Sequence, residues 1–388
     1  MTRYLAGRIF AGLVTLVIFV TILFFMAEIL IPGDYVTQFT LGMSPQDRAA
    51  LRAELGLDQP LLTRYLDYMA GLLRGDLGET GGGGSVIDAL IAFLPWTLLI
   101  FVFAMAIAFP IGHRLGKIAG WRDGTPGAAG LTMASVGLYT LFPPLLVFFL
   151  VVFVSGLTDN QGIGALRALL KDGALSVDVA WSMLWTVVVI ALALGVAALG
   201  LDRYHRTLPA WVWALGLIAG PVLIWMARGM WSDVIVILRY LALPIIAVAI
   251  LAFGEVALVS KSTVKEASHE EFVFAARAKG LPDKDIRDHH VARYALLPTL
   301  SKLMVSVPFM LVGLMIIEIS FAWPKDGAFG MTVPGMSSAL FTSLENRDTT
   351  MVLGGLLAVG IIVLLVRLFL DVLQAALDPR IRIGSRAQ

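Results

Sequence analysis

Residues 261–298 read KSTVKEASHEEFVFAARAKGLPDKDIRDHHVARYALLP. From Lys261 to Arg293 this stretch holds 13 charged residues, in a 388-residue chain with only 29 Lys and Arg and 28 Asp and Glu. It stands between two long apolar runs. Lys261 to Lys279 is polar and helix-forming. Gly280 is a natural helix stop, because glycine enters the left-handed region without steric cost. Pro282 suits the first turn of a new helix, and Asp283 and Asp285 suit its positive end. The pattern predicts a helix, a glycine elbow, a second short helix in DKDIRDHHVARYALL at 283–297, and a return to the apolar phase at Pro298. Ile286 and Val291 fall on one side of the short helix and charge on the other, which predicts a knob for a groove on a partner. Charge alone would suit a solvated loop. Ala275, Ala276 and Ala278 before the elbow argue instead for close packing.

Composition places the rest of the chain in lipid. Hydrophobic residues make up 58% and charged residues 15%, against about 25% charged in soluble domains, and mean hydropathy is +0.85. The formal net charge of +1 gives no sign of a nucleic-acid or acidic partner. With no cysteine there is no disulfide, thiolate nucleophile or Cys-based zinc site. The first apolar run, Ile9 to Ile31, exceeds the roughly 7–15 residues of a signal-peptide core and is followed by Pro-Gly-Asp. It reads as a first transmembrane helix.

Eight runs are long enough to span a bilayer, which takes roughly 20 apolar residues: 9–31, 95–115, 128–156, 179–201, 208–228, 238–260, 298–321 and 351–376. Buried in lipid, such runs satisfy their backbone as helices. Arg3, Arg8, His113, Arg114, Lys117, Arg122, Arg203, Arg206, the 261–297 segment, Arg380, Arg382 and Arg386 all fall on one side if both termini are cytoplasmic. The long loop after span one has two amphipathic pieces broken at Pro60, then GGGGS at 81–85, which reads as a flexible joint.

Catalytic signatures are missing from the sequence. There is no phosphate-binding loop: Val259-Ser260-Lys261-Ser262 mimics its tail but lacks the glycine. H-E-x-x-H, G-x-S-x-G and dinucleotide fingerprints are absent too. His289 and His290 are adjacent, and neighbouring helical side chains diverge by about 100°, which opposes a shared metal ion. Carboxylates within spans are functional candidates by default. Glu28 and Asp371 lie near span ends, where interfacial snorkelling suffices; Glu255 and Glu318 lie deeper, and as scattered single carboxylates they suit structural pairing with a helix, the backbone or a neighbouring subunit better than a proton relay. Gly112, Gly116 and Gly120 recur at four-residue spacing and suit close helix contact.

The charged segment resembles the cytoplasmic "EAA" loop of binding-protein-dependent ABC transporter permeases of the dipeptide/oligopeptide/nickel group. Ala276-Arg277-Ala278-Lys279-Gly280-Leu281 matches that group's pattern throughout. Lys261, Glu266 and Val273 fit, as do His290, Arg293, Ala295, Leu296, Leu297 and Pro298 at the expected spacing. Phe274 and Tyr294 depart from it. Pro32-Gly33-Asp34, LGLDQPLLTRYLDYMAGLLRGDLG at 55–78, Glu318 with Phe321, Trp323 and Pro324, Arg347-Asp348, Asp371 and LDPRIR at 377–382 are similar to further motifs of the group in the same order. KDGAFG replaces the usual turn after Pro324.

The resemblance implies an all-α polytopic membrane protein with the type I ABC importer transmembrane fold. It would have a six-helix core plus two inserted helices, eight in all, with both termini cytoplasmic, in a bacterial or archaeal plasma (inner) membrane. The implied organisation is the N-terminus with span one (1–31), an outer loop (32–94), spans two and three (95–156), an insertion with two spans (157–237), the permease core with its EAA loop at 261–297 (238–376), and a tail (377–388). The implied partners are a second homologous permease, two ATP-binding cassette subunits holding ATP and Mg, and an extracytoplasmic solute-binding protein. This chain itself would carry no cofactor. The coupling loop would use Glu266, Ala275, Ala276, Gly280, Asp283, Asp285, Ile286, Arg287, His289, His290 and Arg293. The outer loop would meet the binding protein through Asp34, Asp58, Arg64, Tyr65 and Asp76. The implied cargo is a peptide or peptide-like solute. A nickel chelate, sugar or opine-like compound, a secondary transporter coupled through Glu255 or Glu318, and a non-transporting scaffold remain alternatives.

Overall fold

The computed structural model describes residues 2–31, 33–39, 42–54, 56–157, 176–203, 210–322 and 333–377. Pro32, the turn at Trp323 and Pro324 and the tail beyond residue 377 lie outside them, as does the side chain of Asp371. The described residues are helical, with one isolated bridge between Glu79 and Ser85. Two compact units emerge: residues 1–94 with 334–369, and residues 95–333 with 370–388.

The first unit contains α1 (Thr2–Leu30), α2 (Pro45–Glu54), α3 (Leu61–Leu73), the start of α4 (Val86–Trp121), α12 (Met336–Glu345) and most of α13 (Thr349–Leu377). Phe24 and Ala27 of α1 bury against Leu353 of α13, with Tyr65 and Tyr68 of α3 packed alongside. Arg64 grips Glu28 through two hydrogen bonds of 2.6 and 2.7 Å. Glu28 is therefore the acceptor of a two-pronged guanidinium pair, where the sequence suggested a snorkelling end-of-span carboxylate. The glycine run at 81–85 is a tight turn and not a flexible joint. Thr80 donates to Gly84 O at 2.7 Å, Gly81 N–H donates to Asp348 at 2.8 Å, and Gly81 packs flat against the Tyr35 ring.

The second unit holds the rest of α4, α5 (Pro126–Tyr139), α6 (Pro143–Leu157), α7 (Val177–Arg203), α8 (Ala210–Ala227), α9 (Trp231–Ala267), α10 (Glu271–Ala278) and a helical run over 283–322 that ends in α11 (Ala292–Ala322). Among the described residues, six helices, α1, α4, α7, α9, α11 and α13, are long and apolar enough to cross a membrane. The expected third span, 128–156, is two helices meeting at 101°. The cause is local: Phe142 precedes a proline and is pushed out of the helical region, and Pro143 and Pro144 have no N–H to continue the ladder. Counted as one span, this pair brings the total to seven. The expected span at 208–228 is present as α8, whose described apolar stretch, Leu215–Ala227, is shorter than a span. α7 and α8 pack on each other, with Leu194 and Ile190 seated over Gly216 and Gly220.

Candidate functional site

The 261–298 segment folds on a small apolar seat. Val264 and Ala267 of α9, Val273 and Ala276 of α10, Ile286, Val291 and Ala295 form one buried cluster, flanked by Trp121 and Phe272. α9 runs unbroken to Ala267, and α10 begins anew at Glu271, so the polar helix expected from Lys261 to Lys279 is two helices. Gly280 has φ +77°. Gly280 N–H donates to Arg277 O at 2.9 Å and Leu281 N–H reaches back to Ala276 O at 3.3 Å. These bonds close the helix end with the left-handed glycine cap read from the sequence. Of the three alanines before the elbow, only Ala276 is buried; Ala275 and Ala278 are exposed.

The short helix is not a separate element. An α-turn at Asp283–Asp285 passes into a π-helical stretch, Ile286–Val291, and then directly into α11, with Pro298 inside that helix. The Ala292 N–H donates to Arg287 O, five residues back. A π-segment shifts the register, as such bulges do at many functional sites. It turns Ile286 and Val291, both fully buried, onto the seat. Asp283, Asp285, His289, His290 and Arg293 are left on the open face.

Charged contacts fasten this knob to α4. Lys117 Nζ lies 2.8 Å from Asp288, and Arg287 holds the same carboxylate at 2.8 and 3.0 Å. All three side chains are at most 24% exposed, so this is a partly desolvated cluster and not a surface pair. The Arg277 guanidinium lies 5.2 Å from the centre of the Trp121 ring, a cation–π distance. Just past α4, Asp123 accepts from Lys265 at 2.7 Å and Lys261 at 3.1 Å. Lys265 first and Lys261 second hold its carboxyl below the usual carboxylate range. Glu266, at the end of α9, pairs with Lys302 at 3.3 Å.

The glycine stripe makes these contacts possible. A Cβ on Gly112 would come within 3.0 Å of Val256, one on Gly116 would collide with Ala257 O, and one on Gly120 would lie 2.6 Å from Lys261 O. α4 therefore lies backbone to backbone on α9, as small residues permit in membrane helices. His113 Nδ1 and Ser260 Oγ, 3.1 Å apart, add a polar contact along the seam. Lys117, Trp121 and Asp123 were not singled out as site residues from the sequence. Their link to the knob is long-range and left no local pattern, although the glycine stripe pointed to the helix that carries them.

Elsewhere, Arg64 and Tyr65 are turned inward, to Glu28 and to the Thr21 hydroxyl at 2.9 Å. Asp34 is held by Arg52 at 2.7 Å, whereas Asp58 and Asp76 are exposed. Glu318 is fully buried. Glu255 lines a cavity of about 370 Å3 beside the α5–α6 break. Among the described residues, no group of three or more His, Asp or Glu is arranged to hold a metal ion.

Long apolar helices joined by a clamped, charge-faced elbow define the class: a polytopic membrane protein. The description "Binding-protein-dependent transport system inner membrane component" matches residues 205–383, and the N-terminal description of the same transport components matches residues 1–85. The chain is thus similar to this family of transport-system membrane components in both its N-terminal and its C-terminal parts. It is similar to the dipeptide transport system permease protein DppB of Escherichia coli K12, 27% identical over 376 residues and covering 94% of each chain. It is also similar to the di/tripeptide transport system permease protein DppB of Pseudomonas aeruginosa, 28% identical over 389 residues with 98% of this chain and 99% of the relative covered. The oligopeptide transport system permease protein OppB of Escherichia coli K12 is 26% identical over 385 residues, with 98% and 100% covered.

Proposed function

We propose that this chain is one of two permease subunits of an ATP-driven importer for peptides or peptide-like solutes. It forms half of the translocation pathway with a second homologous permease. It couples to two ATP-binding cassette subunits, which hold ATP and Mg, through the knob at 283–291. The observation that carries this reading is the division of the knob: Ile286 and Val291 are fully buried, while Asp283, Asp285, His289, His290 and Arg293 stand open. A solvated loop has no need of a seven-residue apolar seat and a two-cation clamp. A handle that transmits force has that need, because movement at one end must reach the transmembrane helices without bending. The peptide names of the three relatives support the cargo class.

In this reading the knob lies in the cytoplasm with both termini, and the 32–94 loop meets the solute-binding protein on the other side, where the exposed Asp58 and Asp76 engage it. α7 and α8 form a peripheral pair. Their exposed Trp185, Val189, Ile218 and Leu223 suit lipid. Charge reversal at Asp283 and Asp285 combined with His290→Glu tests the coupling role. Loss of co-purifying ATPase subunits and of solute-stimulated ATP turnover is expected. Retention of both would overturn the reading.

A further inference from the structure

We propose that Glu255 is the subsite within the membrane that recognises the cationic amino group of the transported solute. The proposal rests on the permease reading above and assigns a ligand chemistry to this chain's half of the pathway. Its cavity, about 370 Å3, lies in the second unit among α5, α6, α9 and α11. That volume is within the range of small-solute sites, about 300–1,000 Å3. Phe142, Leu251 and Phe309 give it apolar walls, and Glu255 is the only charged residue on its lining. Among the described residues Glu255 forms no ion pair; its hydrogen-bond neighbour is the neutral Ser306.

The backbone around the cavity favours a cation. Gly254 lets α9 approach α5 so closely that a Cβ there would lie 2.6 Å from Ser135 O and 2.8 Å from Tyr139 N. This approach sets the neighbouring Glu255 beside the C-terminal end of α5, where Tyr139 and Thr140 line the cavity. A helix C-terminus carries partial negative charge and attracts cations, and broken membrane helices use such ends for positive cargo. The facing start of α6 offers no compensating pull on an anion. Pro143 and Pro144 have no N–H, and the N–H groups of Leu145 and Leu146 are both spent on Phe142 O. A carboxylate and a helix C-terminus thus act together inside apolar walls, against a helix start with no free donor in its first four residues. The matching solute carries an unblocked ammonium group next to an apolar portion, as the amino-terminal residue of a peptide does. Phosphorylated or purely anionic solutes do not fit.

The test uses the complete importer, with its partner permease, ATPases and binding protein, in proteoliposomes. ATP-driven uptake of di- to penta-alanine is compared with uptake of the same peptides N-acetylated, for wild type, Glu255→Gln and Glu255→Asp. The same binding protein serves every variant, so its own preference cancels between them. The expected result is at least a tenfold fall in uptake of free peptides for Glu255→Gln, substantial rescue by Glu255→Asp, and binding-protein-stimulated ATP turnover within twofold of wild type. Wild-type uptake by Glu255→Gln overturns the proposal. Joint loss of ATP turnover and uptake in both variants also overturns it, by making Glu255 a structural residue. Uptake driven by a proton gradient without ATP would make it an ion-coupling group. If the wild-type assembly shows no ATP-driven uptake of any of these peptides, the underlying permease reading fails instead.

Discussion

The clamp on Asp288 offers a direct test of whether the knob is rigidly seated. The perturbation is the pair Lys117→Met and Asp288→Asn, which remove charge while keeping length and shape. At 2.8 Å and an effective dielectric of about 20, the gross attraction is about 6 kcal/mol. Taking both ions partly out of water returns much of that. The net worth therefore falls near that of a hydrogen bond between charged groups, about 1.5–3 kcal/mol. The side chains are 18% and 24% exposed, so the lower values of open surface pairs do not apply. The assay is amide hydrogen exchange over 283–291 in the assembled protein, which reads the free energy of local opening. Each single substitution should lower protection there by about 10- to 150-fold, the same free energy expressed as an equilibrium. The double variant should be scarcely worse than Asp288→Asn alone, because the shared interaction is already gone. Effects that add to within about 0.5 kcal/mol, or protection that does not change, would refute the clamp.

Other outcomes follow from the same contacts. Gly280→Ala forces a Cβ into φ +77° and should cost about 1–2 kcal/mol, visible as faster exchange at 271–291 with the long helices unaffected. Gly116→Val should lower the thermal midpoint of the purified protein by an amount corresponding to about 1–3 kcal/mol of overpacking, since the added atoms meet Ala257 backbone. The depressed Asp123 pKa stabilises the loop above the ordinary carboxylate value of about 4, and that contribution is lost only as pH falls through the lower folded value. Protection of the 261–267 segment should therefore hold from neutral pH to about 5, and Asp123→Asn should weaken it throughout that window. The Tyr68 hydroxyl is buried with no hydrogen-bond partner among the described residues, and burial pushes its pKa up to about 12. Tyr68→Phe should leave the thermal midpoint unchanged or raise it, whereas Tyr65→Phe, which loses the Thr21 bond, should cost about 1 kcal/mol.

The elbow was the most legible part of the site. Gly280 and Pro282 act through their own backbone restrictions, so their meaning is local, and the cap formed as read. The neighbouring expectation of an independent short helix did not hold, because a π-segment joins it to α11. No sequence period announces a π-segment; it arises where Ile286 and Val291 must both reach one apolar seat. The third span failed as a single helix for a reason that was present in the sequence, Phe142-Pro143-Pro144. Prolines are tolerated in membrane helices often enough that their position alone did not decide between a kink and a 101° break. Glu28 was misread because its partner Arg64 lies 36 residues away in a separate helix.

The sequence by itself determined that this is an all-helical membrane protein with a charged, elbowed segment between two of its long helices. It did so because hydrophobic run length and glycine or proline punctuation act over a few residues and survive without a tertiary context. Only the tertiary structure decided what holds that elbow. Lys117 and Asp288 are 171 positions apart, and Asp123 and Lys265 are 142 apart; they meet because three glycines let α4 lie directly on α9. The same close packing, at Gly254, sets Glu255 beside a broken helix end. Charge pairing and cavity shape depend on where helices cross, and crossing is settled by side-chain fit between segments far apart in the chain.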